Sequence, residues 1–132
     1  MDFSSLGPGA IVIDEELTVS QEAADVYLLA VGDAEALYAE HQVTPPMAIA
    51  ALAMAAAMRA VELPPGAVHT GQELTFVRPV MPSTQFHCSA RVGQNSVRRG
   101  TRFLTLQIQV TADGHSTVVG QASIAIPEEG AA

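Results

Sequence analysis

Residues 42–58 read QVTPPMAIAALAMAAAM, and every side chain after the two prolines of this stretch is apolar. A helix at the surface of a globular protein ordinarily carries polar residues on one side. The stretch is also too short to span a membrane, because a transmembrane helix needs about 20 apolar residues. Pro45 and Pro46 suit the first turn of a helix, and Pro64 cannot continue one. The stretch therefore predicts a helix that protein covers on all sides.

The composition limits the classes of function that the chain could have. Its 132 residues are typical of one domain with its own core, here residues 1–132. Fourteen acidic residues outnumber six basic ones, so we expect neither a nucleic-acid partner nor an anionic membrane. Cys88 is the single cysteine, which excludes an internal disulfide, and without an export signal it indicates a cytoplasmic protein. No ligand spacing predicts a metal site, and no cofactor is implied.

The chain beyond Gly66 changes from helical periodicity to simple alternation. Apolar residues alternate with polar ones over 86–92 and 104–111, which is typical of strands with one covered face. Asp113-Gly114 then predicts a hairpin turn before the last strand.

Upstream of the long helix, residues 10–19 have the pattern of a strand, and Ser20 can cap a helix over 21–31. The order of elements is thus a strand, helices, one long helix and four antiparallel strands. The predicted fold class is α+β, with a curved antiparallel five-stranded sheet wrapped around one long buried helix. This arrangement resembles the hotdog fold.

Short motifs add a resemblance to a known family over roughly Gly7 to Ile126. The chain is similar to the MaoC-like (R)-specific enoyl-thioester hydratases and 3-hydroxyacyl dehydratases. The order of the motifs, rather than any one of them, carries this resemblance: they are Gly7-Pro8-Gly9, Gly32-Asp33, Pro45-Pro46, AVHTGQELTF over 67–76, and Arg78-Pro79-Val80.

The resemblance implies an acyl-CoA or acyl-carrier-protein substrate and a pair of hotdog subunits joined through sheet edges. Hydration of a 2-enoyl thioester needs a base for water, an acid for the α-carbon and donors for the carbonyl oxygen. Active members carry Asp-x-x-x-x-His for the first task and His-Gly at the start of the central helix for the second. The glycine N–H at the positive end of that helix stabilises the oxyanion.

This sequence departs from both motifs. Counting from Asp33 places Tyr38 where the histidine belongs, and an ordinary phenol has a pKa of about 10, which makes it a poor base at neutral pH. Pro46 stands at the helix start, and proline has no N–H to donate. The catalytic Asp/His pair is therefore degraded, and whether the chain is an enzyme on its own stays open.

The catalytic candidates are Asp33, Tyr38 and His69. Each also has a structural interpretation, as a helix N-cap, a core side chain and a half-buried strand residue respectively. The ligand-binding candidates lie at the helix start and in the positive cluster of the chain, where arginines could meet the phosphates of coenzyme A or an acidic carrier protein. They are Pro46, Met47, Arg98, Arg99 and Arg102.

The leading interpretation is an acyl-thioester-binding subunit that serves as the accessory partner of a catalytic hotdog chain. The alternative is a self-sufficient homodimeric (R)-enoyl-CoA hydratase or 3-hydroxyacyl dehydratase that uses Asp33 and His69. A hotdog thioesterase is disfavoured because residues 47–61 contain no Asp or Glu. An acyl-binding regulator is a further alternative. Acyl chain length, pathway and the choice between homo- and hetero-oligomer are open.

Overall fold

The computed structural model describes residues 2–33 and 36–128, apart from the side chain of Ala39. These residues form five strands and three α-helices, which confirms the α+β class. In chain order the elements are a short 3-10 helix Phe3–Ser5, β1 Ile11–Thr18, α1 Gln21–Val31, α2 Leu37–His41, α3 Pro46–Val61, β2 Val68–Phe76, β3 Gln85–Arg98, β4 Thr101–Ala112 and β5 His115–Pro127.

The strands form one antiparallel sheet in the order β1-β3-β4-β5-β2. Two tight turns join the three central strands. Arg99 and Gly100 have φ of 52° and 78°, and Asp113 and Gly114 have φ of 51° and 76°. Positive φ at both turn residues matches the right-handed twist of the flanking strands. The hairpin predicted at Asp113-Gly114 is confirmed.

Helix α1 begins and ends where the sequence predicts. The Ser20 hydroxyl accepts a hydrogen bond of 3.0 Å from the Ala23 N–H, which satisfies a donor of the first turn. Gly32 ends the helix with a φ of 72°, a left-handed conformation that costs glycine little. The Asp33 N–H then donates to the Leu28 carbonyl at 2.9 Å.

The core lies between the inner face of the sheet and α3. Leu104, Leu106 and Ile124 are fully buried on the strands, and Ala53 and Ala57 face them from the helix with no exposed surface. Because alanine is small, the helix axis can lie close to the sheet. The hotdog arrangement predicted from the sequence is confirmed.

One side of α3 is uncovered in the single chain, so the expectation of cover on all sides is wrong for a monomer. Met47 is 47% exposed, Ala51 and Ala55 are also exposed, and Met58 is half-buried. We call these four residues the α3 stripe. The sheet curves around only one side of the helix, and a second chain would be needed to cover the other. In the described ranges, no helix has both the length and the apolar character of a membrane span.

Candidate functional site

The start of α3 is the part of the molecule where the predicted catalytic parts should meet. Pro45 is the N-cap residue of α3, makes no side-chain cap hydrogen bond, and is followed by Pro46 as the first helical residue. Proline has no N–H, so the positive end of the helix lacks two of the amide donors that it would otherwise present. The preceding residue, Thr44, is held in place because its N–H donates to the Val80 carbonyl at 2.7 Å.

Thr44 is a residue that the sequence reasoning missed. Its side chain is only 1% exposed, yet its hydroxyl oxygen has no hydrogen-bond partner among the described residues. A buried hydroxyl without a hydrogen-bond partner costs free energy. The sequence signal was a polar residue placed directly before two prolines and an apolar helix.

Asp33 and Tyr38 lie on the segment that leads from α1 to the start of α3. Asp33 is exposed, whereas Tyr38 is half-buried within α2. The Tyr38 carbonyl accepts a hydrogen bond of 3.0 Å from the Val43 N–H, which closes the turn after α2. Both residues also make further interactions within the chain. Their catalytic roles stay predictions.

An apolar cleft of about 280 Å³ runs between α1 and α3. Its floor consists of alanines, and no charged side chain lines it. A cleft of this kind suits an apolar group such as an acyl chain, although its volume is at the lower end of small-molecule sites. The lining residues are Val19, Ala23, Tyr27, Ala48, Ala51, Leu52 and Ala55.

His69 lies in the strand that follows the C-terminal end of α3. It is the second residue of β2, close to the segment that follows the C-terminal end of α3. After the other end of β2 the chain continues from Val77 to Val80, whose carbonyl accepts the hydrogen bond from the Thr44 N–H. A nine-residue strand rises about 3.3 Å per residue, so roughly 23 Å separate His69 from Phe76. The catalytic pairing of His69 with Asp33 of the same chain stays a prediction.

The predicted arginine cluster divides into an exposed part and an internal part. Arg98 and Arg99 are exposed at the β3–β4 turn, where the Arg98 guanidinium lies 5.4 Å from the centre of the Phe103 ring. The Arg102 side chain is only 11% exposed and forms an ion pair with Glu128. It also donates a hydrogen bond of 2.6 Å to the Asn95 side-chain oxygen.

Asn95 in turn donates to the backbone carbonyls of Phe3 and Leu6 at 2.7 and 2.8 Å. Arg102 is therefore part of a network that ties both ends of the described chain to the sheet. Arg98 and Arg99 are the exposed members of the cluster. Their role in anion binding stays a prediction.

Two further titratable groups lie away from the start of α3. The pKa of His87 is raised above its usual value, first by a 2.9 Å hydrogen bond to Glu16 and also by the nearby Asp14. Burial raises the pKa of the Cys88 thiol to about 11, so the thiol is unreactive at neutral pH. Within the described residues, no group of three His, Cys, Asp or Glu side chains is arranged to hold a metal ion.

Solved structures with this arrangement of helix and sheet cover nearly the whole chain. The (R)-hydratase of A. caviae involved in PHA biosynthesis is 18% identical with a TM-score of 0.79, over 93% of this chain and 98% of that one. A MaoC-like dehydratase from Rhodospirillum rubrum is 17% identical with a TM-score of 0.76, over 96% of each chain.

A subunit of the truncated (3R)-hydroxyacyl-ACP dehydratase complex of Mycobacterium tuberculosis is 17% identical with a TM-score of 0.70, over 89% of this chain and 96% of that one. No protein-family model and no curated protein matches the sequence. At such low identity these likenesses show the fold: the chain is a hotdog protein that structurally resembles MaoC-like hydratases and dehydratases.

Proposed function

We propose that the chain is an acyl-thioester-binding subunit of a MaoC-like hydratase or dehydratase, and that it acts as the accessory partner of a catalytic chain. The start of α3 carries this proposal. Pro45 and Pro46 occupy positions that would otherwise present amide donors, and an apolar cleft without charged side chains lies along the same helix. The binding part of a thioester site is thus retained, whereas the catalytic part is reduced.

The chemistry of hydration explains why the reduction matters. Tyr38 occupies the position where the resemblance places the basic histidine, and an ordinary phenol, with a pKa of about 10, keeps its proton at neutral pH. Pro46 cannot donate to a developing oxyanion. If ligand binding uncovers it, the Thr44 hydroxyl, which has no partner among the described residues, supplies one hydrogen-bond donor for a carbonyl group at the helix start. It does not supply a base.

The cleft between α1 and α3 is the proposed place of the acyl chain. Ala48, Ala51 and Ala55 leave the space open, and the Tyr27 ring closes one side. Each methylene group that leaves water for such a surface gains about 0.8 kcal/mol. Short acyl chains therefore gain a few kcal/mol at most from this cleft alone, and a partner subunit would have to complete a longer tunnel.

Two uncovered surfaces support assembly with a second hotdog chain. Strand β2 pairs only with β5, so its other edge presents unpaired backbone groups in the described chain. The α3 stripe is a second apolar surface that is exposed in the single chain. The edge of β2 would be covered if it joined a homologous strand, and Met47 and Met58, which lie outside the acyl-chain cleft, would be covered if a second chain packed against α3. The partner would be a catalytic hotdog chain or a second copy.

The turn between β3 and β4 is the proposed contact for the anionic end of the substrate. Arg98 and Arg99 present exposed guanidinium groups on a chain whose net charge is −8, and that of Arg98 lies over the Phe103 ring. Guanidinium groups bind phosphate oxygens in pairs of hydrogen bonds, as the phosphates of coenzyme A or of a carrier-protein arm require. Arg102 supports this turn from the inside through its ion pair with Glu128.

The test of the proposed function separates binding from turnover. The purified chain is titrated with 2-butenoyl-CoA by calorimetry, and hydration is followed by the loss of enoyl absorbance. We expect saturable binding without hydration. A turnover number in the usual range of about 1 to 1,000 per second would contradict the accessory role and favour the homodimeric enzyme. An absence of binding would contradict the thioester-binding role itself.

A further inference from the structure

His69 points to the helix side of the sheet although it lies at an edge. It is paired across the strands with Ile124, which is 1% exposed beneath α3, and directly opposed residues share a face. A register shift follows between His69 and Gly71, so Thr70 is an extra residue at the edge. The Thr70 hydroxyl donates to the Ser123 carbonyl at 3.2 Å, which holds this bulge in place. Bulges at sheet edges commonly re-aim a side chain.

Within its own chain, His69 lies away from the end of β2 that leads to the start of α3. Roughly 23 Å along the strand separate it from Phe76. The imidazole is exposed, and no hydrogen bond or ion pair connects it to another described residue. His69 is therefore an exposed histidine on the helix side of a free sheet edge, where a group from outside the chain can reach it.

The symmetry of an edge contact supplies such a group. Two identical edge strands that continue one sheet are related by a two-fold axis perpendicular to the sheet, and they must run antiparallel. Pairing through β2 therefore sets the His69 end of one strand beside the Phe76 end of the other. In the neighbouring chain, the segment after Phe76 continues to Val80. The Val80 carbonyl accepts a hydrogen bond from the Thr44 N–H, just before α3 begins.

We propose that His69 acts across the subunit interface and completes the thioester site at the start of the neighbouring α3. This inference rests on the proposed function, because it needs both the β2 edge contact and a ligand at the helix start. The composite site contains Tyr38 and Thr44 of one subunit and His69 of the other. The His69 ring nitrogens can hydrogen-bond a ligand at this site, alongside the hydroxyl groups of Tyr38 and Thr44. A catalytic hotdog partner that pairs through its equivalent edge would receive His69 in the same way.

Disulfide trapping tests the geometry. Chains with His69→Cys are mixed with chains carrying Phe76→Cys and oxidised mildly, while light scattering follows the oligomeric state. The native Cys88 is buried and does not compete. We expect 69–76 cross-links between chains, because paired strands bring opposed Cβ atoms within disulfide range. Chains with His69→Cys alone should not cross-link, since about 20 Å would separate the two cysteines in an antiparallel pair.

A dimer that forms 69–69 cross-links, or none, would overturn the inference while the proposed assembly stands. A monomer in light scattering would overturn the assembly, and with it the inference. Cross-linking thus distinguishes the two failures.

Restoration of ligand binding in mixed dimers tests whether His69 and Tyr38 of different subunits form one site. The His69→Gln and Tyr38→Ala variants should each bind 2-butenoyl-CoA at least tenfold more weakly than the parent. When the two variants are mixed and allowed to exchange subunits, each mixed dimer contains one site with both natural residues. About a quarter of the sites should then regain the parent affinity, as random two-fold assembly requires. If His69 and Tyr38 served the same chain's site, mixing would restore no binding.

Discussion

Replacing Thr44 by valine should make the protein more stable, although most core substitutions do the reverse. Valine has nearly the shape of threonine, and at this position it removes a buried hydroxyl that has no partner in the described chain, from a residue that is 1% exposed. A buried polar group without a hydrogen bond costs about 1 to 3 kcal/mol. We therefore expect Thr44→Val to raise the free energy of unfolding by about 1 kcal/mol or more.

The chain offers a matched control for this substitution. Thr117 is 2% exposed, and its hydroxyl donates to the Val110 carbonyl at 3.0 Å. Thr117→Val makes the same chemical change but removes a satisfied hydrogen bond, whose net contribution is about 1 kcal/mol. The two variants should thus shift stability in opposite directions, by about 2 kcal/mol relative to each other.

Urea denaturation followed by circular dichroism measures both shifts, with the denaturation midpoint as the readout. The dependence of free energy on urea should stay the same in all three proteins, since no change in buried surface is expected. A Thr44→Val variant that loses as much stability as Thr117→Val would refute the reasoning. It would mean that the Thr44 hydroxyl binds a buried water or another group in solution.

The same variant separates folding from function. If the Thr44 hydroxyl orients a thioester carbonyl, Thr44→Val should bind 2-butenoyl-CoA about tenfold more weakly while it unfolds at higher urea concentration. A buried polar group that lowers stability and raises affinity is a common compromise at binding sites. Unchanged affinity together with higher stability would assign Thr44 no part in ligand binding.

Three further predictions concern the other candidate residues. Tyr38→Phe should leave the activity of the assembled complex within about threefold of the parent, which corresponds to a change of under about 1 kcal/mol in the activation barrier. A hundredfold loss of activity would show that the phenol takes part in the reaction. Replacing Arg98 and Arg99 together by glutamate should weaken acyl-CoA binding and flatten its salt dependence, which calorimetry at low and high salt can check; equal affinity in both salts would leave them as a solvated turn. The pKa of His87 is higher in the folded protein than its unfolded value of about 6.5. The protonated imidazole therefore stabilises the fold fully at a pH below the unfolded pKa, and this stabilisation is lost as the pH rises through the folded-state pKa. The stability difference between the parent and His87→Gln should accordingly shrink as pH increases above about 6.5, and a difference that grows with pH would contradict the assigned partners.

Local features of the structure follow directly from the sequence. Ser20 before α1, the glycine that ends it and the Asp113-Gly114 turn are confirmed, because hydrogen bonds and backbone angles within a few residues determine them. The α3 helix is also local, since its apolar composition and the preceding prolines define where it begins. Alternation over 86–92 and 104–111 likewise predicts which side of each strand is buried.

Contacts between residues that are distant in sequence could be identified only from the tertiary structure. Arg102 is only four residues from Arg98, yet its partner is Glu128, and sequence proximity alone predicted one cluster of three arginines. The position of His69 on the helix side of the sheet, opposite the buried Ile124, likewise appears only in the strand pairing. Such placements depend on strand order and strand direction, which no short stretch of sequence encodes.

The sequence by itself determined the class of this protein, namely one long apolar helix and an antiparallel sheet that resembles a hotdog. Periodicity and turn residues are sufficient for that, because each element's preference is set within its own segment. The tertiary structure alone decided which surfaces of the described chain stay uncovered, namely the α3 stripe and the edge of β2, and that the Thr44 hydroxyl is buried without a partner. Burial is a property of all the elements packed together, so it cannot be read from the residues of one element.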